Sequence, residues 1–173
     1  MGRLAALALL ALAACGAGCG YHVAGKADLL PKNIRTIYIP AFTNNTVRYR
    51  LNERLAGAIT REFLSRTRYR VVYDEADADA ILRGSVMNIF SFPTTFDTAT
   101  GRAAGVQMNL VLQITLTERT TGNVLYTNPS MDVRERYEIS VDPLAYVEES
   151  DTALDRLGRQ VAGAVVSAIL EAF

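Results

Sequence analysis

Val106–Thr117 reads VQMNLVLQITLT. Val106, Met108, Leu110, Leu112, Ile114 and Leu116 alternate with Gln107, Asn109, Gln113, Thr115 and Thr117. A period of two places the apolar set on one side of a strand and the amides and hydroxyls on the other. Such a strand belongs to a sheet with one buried face and one wet face. A second layer must then cover the apolar side.

The flanking segments extend this sheet. Downstream, Thr120-Thr121-Gly122-Asn123 predicts a tight hairpin connection. Val124–Tyr126 opens the next strand, which runs past Pro129 to Tyr137 with a bulge or break at the proline. Upstream, Thr94–Arg102 is a polar connection, and Ile81–Phe96 predicts a long strand. Simple alternation puts Leu82, Val86, Phe90 and Phe92 on one face, with Asn88 interrupting. Phe90 and Phe92 are therefore expected in the core, and Phe96 is the exposed aromatic.

The covering layer is legible as two helices. Leu51, Leu55, Ile59 and Phe63 recur every four residues, with Ala58 beside them and Arg50, Glu53, Arg54, Arg61 and Glu62 opposite. This predicts an amphipathic helix from about Val47 to Arg66, capped by the Thr43-Asn44-Asn45-Thr46 turn. A second stripe, Leu154, Leu157, Val161, Ala164, Val165 and Ala168, predicts a helix from Asp151 to about Ala172. Asp142-Pro143 upstream reads as a cap with proline in the first turn.

Ile34–Phe42 and Tyr69–Tyr73 are β-branched and aromatic. With the first helix between them they predict a βαβ unit with parallel strands. The expected fold is α+β: a two-layer sandwich, two helices packed on one face of a mixed four- to five-stranded sheet.

The first residues follow a different logic. Arg3 precedes an Ala/Leu run from Leu4 to Ala14. That run is shorter than the roughly 20 residues needed to span a bilayer, and it fits a secretory leader. Small residues and a cysteine close it, which is the pattern of a lipoprotein signal whose cysteine receives acyl chains such as palmitate. Cys19 is the expected anchor, with Cys15 as the alternative. The expected organisation is a signal peptide over 1–18, an anchor linker over 19–33 and an α/β domain over 34–173.

Composition restricts the chemistry. Lys and Arg number 18 and so do Asp and Glu, with no long run of like charge, which argues against a nucleic-acid partner. His22, the only histidine, lies beside the anchor, so the domain cannot build a Ser-His-Asp set. Both cysteines lie in the leader region, so a Cys/His zinc site is not expected. Gly101-Arg102-Ala103-Ala104-Gly105 lacks the Lys-Ser/Thr ending of a phosphate loop. The acids of Asp74–Asp79 lack the glycine and distal glutamate of a calcium loop, and read as a solvated turn. Neither cofactor nor metal is expected. The chain reads as a binding or assembly protein, not an enzyme.

Several stretches together resemble one family. Cys19-Gly20-Tyr21-His22-Val23-Ala24-Gly25 resembles the mature start of LptE lipoproteins, which take part in lipopolysaccharide assembly. The resemblance continues through Ile37–Thr46, Tyr69–Val72, Ala78-Asp79-Ala80-Ile81-Leu82-Arg83-Gly84 and Arg119–Tyr126. It implies lipidation at Cys19, no catalysis, and an outer-membrane protein facing the periplasm or sitting inside a barrel lumen. It further implies two partners: an LptD-type β-barrel, which such proteins plug and help to fold, and lipopolysaccharide. Arg83, Phe96, Arg102, Arg134 and Arg136 are the candidate contacts. The segment from Ile37 to Gly84 is shared with other envelope lipoproteins. A regulatory lipoprotein of the peptidoglycan-synthase-activator type, or a secretion-pore lipoprotein, is therefore the alternative.

Overall fold

The computed structural model describes residues 30–140 and 150–173. The leader, both cysteines, His22 and the Asp142-Pro143 cap lie outside these residues. The order is β1 (Thr36–Tyr38), β2 (Thr43–Asn44), α1 (Leu51–Arg66), β3 (Arg70–Val72), β4 (Ala80–Phe96), β5 (Ala103–Glu118), β6 (Val124–Glu138) and α2 (Ser150–Glu171). A short 3₁₀ turn, Glu75–Asp77, joins β3 to β4.

The six strands form one mixed sheet in the order β3-β1-β4-β5-β6, with β2 also paired to β4. β1 runs parallel to β3 and to the start of β4, as the βαβ reading requires. β4, β5 and β6 are antiparallel neighbours. Both helices pack on one face. α1 buries Leu51, Leu55, Ala58, Ile59 and Phe63. α2 buries Leu154, Leu157, Val161, Val165 and Ile169. Beneath them lie Leu110, Leu112, Ile114 and Leu116 of β5, all fully buried. The stripe and the alternation therefore meet in a single core.

The sheet has six strands, against the four or five expected, because Ile34–Phe42 is not one strand. Pro40 ends β1, and the chain pairs again as β2, with Thr43 and Asn44 opposite Ser85 and Val86. The Thr43–Thr46 cluster thus supplies a strand and then a turn, not a helix cap. Asn44 Oδ1 accepts from the Thr46 amide and hydroxyl, and Thr46 Oγ1 accepts from the Arg48 amide. Helix α1 starts at Leu51. Its N-cap is Arg50, in the left-handed region at φ 52° and without a side-chain cap.

Two residues fix how β1 and β2 meet β4. Asp79 Oδ2 accepts from the amides of Arg35 (2.8 Å) and Thr36 (2.9 Å), while the Asp79 amide donates to Thr36 Oγ1. Five residues on, a methyl group on Gly84 would overlap the ring of Phe42, which is buried against the Gly84 backbone. The acidic turn is therefore solvated only in part: Asp74 caps the 3₁₀ turn, and Asp79 ties two strands together.

The second correction concerns β4. Pairing with β5 slips by one residue between Val86 and Asn88, leaving Met87 bulged. A one-residue slip moves every later side chain to the opposite face. Ile89 takes the core position opposite Leu110, and Phe90 and Phe92 turn outward, 43% and 41% exposed. They are not core residues. Thr94–Arg102 is likewise not all connection, because β4 and β5 pair as far as Phe96 and Ala103. The turn is only Asp97–Arg102, with Gly101 at φ 66°.

Downstream expectations hold. Gly122 turns the β5–β6 hairpin at φ 73°, and β6 passes Pro129 with a register shift there. One inward position departs from the apolar rule: Glu135 is 8% exposed, and Arg156 and Gln160 of α2 both donate to its carboxylate.

Two substitutions test these joints. Gly84→Ala is expected to destabilise the domain by about 1–3 kcal/mol, because the Phe42 ring must shift. Adding Phe42→Leu should recover part of that loss in chemical denaturation. Burial pushes the Asp79 carboxyl up, but the Arg35 and Thr36 amides, the Thr36 side chain and Arg119 outweigh it and hold it below the usual aspartate value. A lowered folded pKa stabilises above the unfolded value, and that contribution is lost as pH falls through the folded one. Asp79→Asn should therefore cost about 1–2 kcal/mol at neutral pH. The gap between variant and wild-type melting temperatures should close as pH drops below 4.

Candidate functional site: the outer sheet face

The helices leave the other face of β4, β5 and β6 without a covering layer among the described residues. The bulge at Met87 decides what stands there. Two cross-strand rows follow it: Phe92, Gln107, Arg136, and Phe90, Asn109, Arg134. The Phe90 and Phe92 rings stack with centroids 6.2 Å apart and planes at 20°. Beside them runs a hydrogen-bonded polar ladder. Arg136 Nε donates to Gln107 Oε1 at 3.2 Å, and Gln107 Nε2 donates to Asn109 Oδ1 at 2.9 Å. Asn109 is only 7% exposed, so the ladder is held in place.

Arg134 is engaged differently. Its guanidinium forks onto Asp132 Oδ2 at 2.7 and 3.2 Å. That hydrogen bond and charge raise the Arg134 pKa above its usual value. Arg136 meets an amide oxygen, not a carboxylate, so its charge is not neutralised by a carboxylate among the described residues.

At the far end, beyond two further register shifts between Pro93 and Phe96, Phe96 opposes Ala103. Phe96 is 58% exposed, as expected of it. Arg102 closes the turn through its backbone, its carbonyl accepting from the Asp97 amide at 2.8 Å. Asp97 Oδ1 takes the Thr100 hydroxyl and the Thr100 and Ala99 amides. Those donors, the Thr100 hydroxyl foremost, hold the Asp97 carboxyl below its usual pKa. The turn is thus ordered by its own side chains.

Four of the five proposed contact residues, Phe96, Arg102, Arg134 and Arg136, therefore fall on the distal β4–β5–β6 unit. Arg83 does not. It pairs across the sheet with Thr115, eight residues along β5 from Gln107, or roughly 27 Å at strand spacing. It also binds Glu75 Oε1 at 2.8 Å. Sequence reading missed Phe90 and Phe92 as parts of the surface, whereas the alternation of β5 already puts Gln107 and Asn109 on the wet face. The signal was the polar Asn88 in an otherwise apolar row. Among the described residues no group of three His, Cys, Asp or Glu could hold a metal, and no helix is long and apolar enough to cross a membrane.

The fold is one that bacterial lipoproteins use. Lipoprotein B from Nitrosomonas europaea is similar with a TM-score of 0.55 at 15% identity, over 88% of this chain and 96% of that one. A DUF330 protein from Xanthomonas campestris is similar at 0.53 and 13% identity, over 83% and 88%. The PelC dodecamer from Paraburkholderia phytofirmans is similar at 0.51 and 11% identity, over 84% and 94%. No curated protein sequence matches the chain. The family model for LptE, described as lipopolysaccharide-assembly, matches residues 34–169. The chain belongs to the LptE family.

Because Phe92 is half exposed, Phe92→Ser should cost less than about 1 kcal/mol, whereas Leu110→Ser, on the buried side, should cost several times more. Equal shifts in the denaturation midpoint would place both residues in the core.

Proposed function

We propose that this chain is a non-enzymatic, lipid-anchored protein of the outer membrane. It forms a complex with an LptD-type β-barrel, helps that barrel assemble, and takes part in delivering lipopolysaccharide to the outer leaflet. The match to the lipopolysaccharide-assembly family over residues 34–169 carries this reading. In it, residues 1–18 are the leader, Cys19 (or Cys15) bears the acyl chains, 19–33 form the linker, and 34–173 form the working domain.

The outer sheet face supports the same reading. A domain lodged in a water-lined barrel needs a surface that hydrogen-bonds and is only locally apolar. Gln107, Asn109, Arg134 and Arg136 beside a stacked phenylalanine pair fit that need. Such interfaces hold through many modest polar contacts and a few aromatic or arginine anchors. Arg134, Arg136, Arg102 and Phe96 are the proposed contacts for lipopolysaccharide or the barrel. Arg83, remote from them and bound to Glu75, is the least suited of the original set.

Depletion in the native host, followed by measurement of surface lipopolysaccharide and of barrel folding in outer-membrane fractions, tests this proposal. Both are expected to fall, and the barrel should co-purify with the acylated chain. Altered peptidoglycan crosslinking with a normally assembled barrel would replace the reading with the regulatory-lipoprotein alternative. Recovery of a ring of this chain alone would replace it with the secretion-pore alternative.

A further inference from the structure

β6 ends the sheet, and among the described residues no strand pairs with its outer edge. Its two halves differ. The first, Val124–Ser130, is interrupted. Pro129 has no N–H to donate, and the pairing with β5 slips between Asn128 and Met131. Prolines and bulges are devices that blunt an edge against pairing. The second half, Met131–Glu138, pairs with Gly105–Leu112 in unbroken register and has neither device. Alternation turns the N–H and C=O groups of about four of these eight residues away from β5. Such a row is a template for one more strand.

The side chains beside that row indicate which strand. Asp132, Arg134 and Arg136 stand on the outer face in the charge order minus, plus, plus. This order complements itself. A copy turned about an axis through Arg134 sets Asp132 opposite Arg136 twice. The atoms allow it. Asp132 uses Oδ2 for its own Arg134, which leaves Oδ1 for an incoming guanidinium. Arg136 uses Nε on Gln107, which leaves its terminal nitrogens for an incoming carboxylate. The two Arg134 groups at the axis are each turned onto their own Asp132. On the core side, the same register sets Met131 opposite Tyr137 and Val133 opposite Glu135, whose carboxylate already accepts from Arg156 and Gln160 of its own chain.

We propose that the free chain associates with a second copy of itself through Met131–Glu138 of β6, antiparallel and centred on Arg134. The pairing protects the open edge before the chain meets its partner. It goes beyond the proposed function and does not depend on it, since it concerns the chain alone.

The test uses the full-length chain in detergent. Residues directly opposed in an antiparallel pair have Cβ atoms about 4.5–5.5 Å apart, close enough for a disulfide after small adjustment. Arg134→Cys should give a covalent dimer under mild oxidation. Arg136→Cys, facing Asp132, should not, with the wild-type chain run alongside to account for Cys15 and Cys19. In sedimentation equilibrium Asp132→Arg should weaken self-association roughly tenfold. The exchange Asp132→Arg with Arg136→Asp should restore it. Thermal melts close to wild type would establish that these exposed substitutions leave the domain folded. A monomer at every concentration overturns the proposal. So does equal crosslinking at both cysteine positions, or a charge exchange that restores nothing.

Discussion

The sheet depends on how two short strands are laid end to end along one edge of β4. Neither β1, with three residues, nor β2, with two, has enough ladder bonds to hold its place alone. Asp79 supplies the missing bonds at one end by accepting two amides of the incoming chain. Gly84 supplies the space at the other, letting Phe42 lie on its backbone where any larger residue would collide. An aspartate and a glycine five residues apart thereby position the βαβ unit over the long hairpin. This gives the Ala78–Gly84 stretch a physical meaning: one residue accepts, the next few pair, and the last makes room.

What could be read from the sequence was what repeats locally. The stripes of α1 and α2, the alternation of β5 and the glycine turn at Gly122 each declare themselves within a window shorter than 20 residues. What could not be read was settled by a partner. Thr43 and Asn44 look like a turn and become a strand because Ser85 and Val86 are there to pair with. Arg50 begins a helix without a cap of its own. Phe90 and Phe92 look inward-facing because the bulge that turns them outward shows in the sequence only as the polar Asn88 in an otherwise apolar row. Glu135 looks like a surface residue, and is buried because Arg156 and Gln160 arrive from a helix more than 20 positions away. At the candidate site, the arginines and Phe96 were legible as types, but their grouping was not. Arg83 separated from the others only once the register was known.

The two faces of the sheet perform different work. The inner face is a close-packed aliphatic core, with one charge cluster joining β6 to α2. The outer face has a different composition: amides locked in a ladder, guanidiniums at its margin, and aromatic rings stacked beside it. A surface of that kind is ordered before anything binds, because its side chains already hold one another. Association then costs less conformational entropy than ordering flexible side chains would.

Met87 changes how variation in this chain should be interpreted. The residue is itself exposed, and its presence as one extra position determines which of the side chains after it join it on the surface. Removing it would return Phe90 and Phe92 to the helix side and send Ile89 outward without altering a single codon for those residues. For the distal hairpin, then, gain or loss of one residue at this position exchanges the faces of the side chains that follow it, which no single substitution does. Two relatives aligned without a gap at this position could share every letter from Ile89 to Phe92 and yet present opposite surfaces. Anyone grafting this hairpin onto another scaffold must carry the bulge with it.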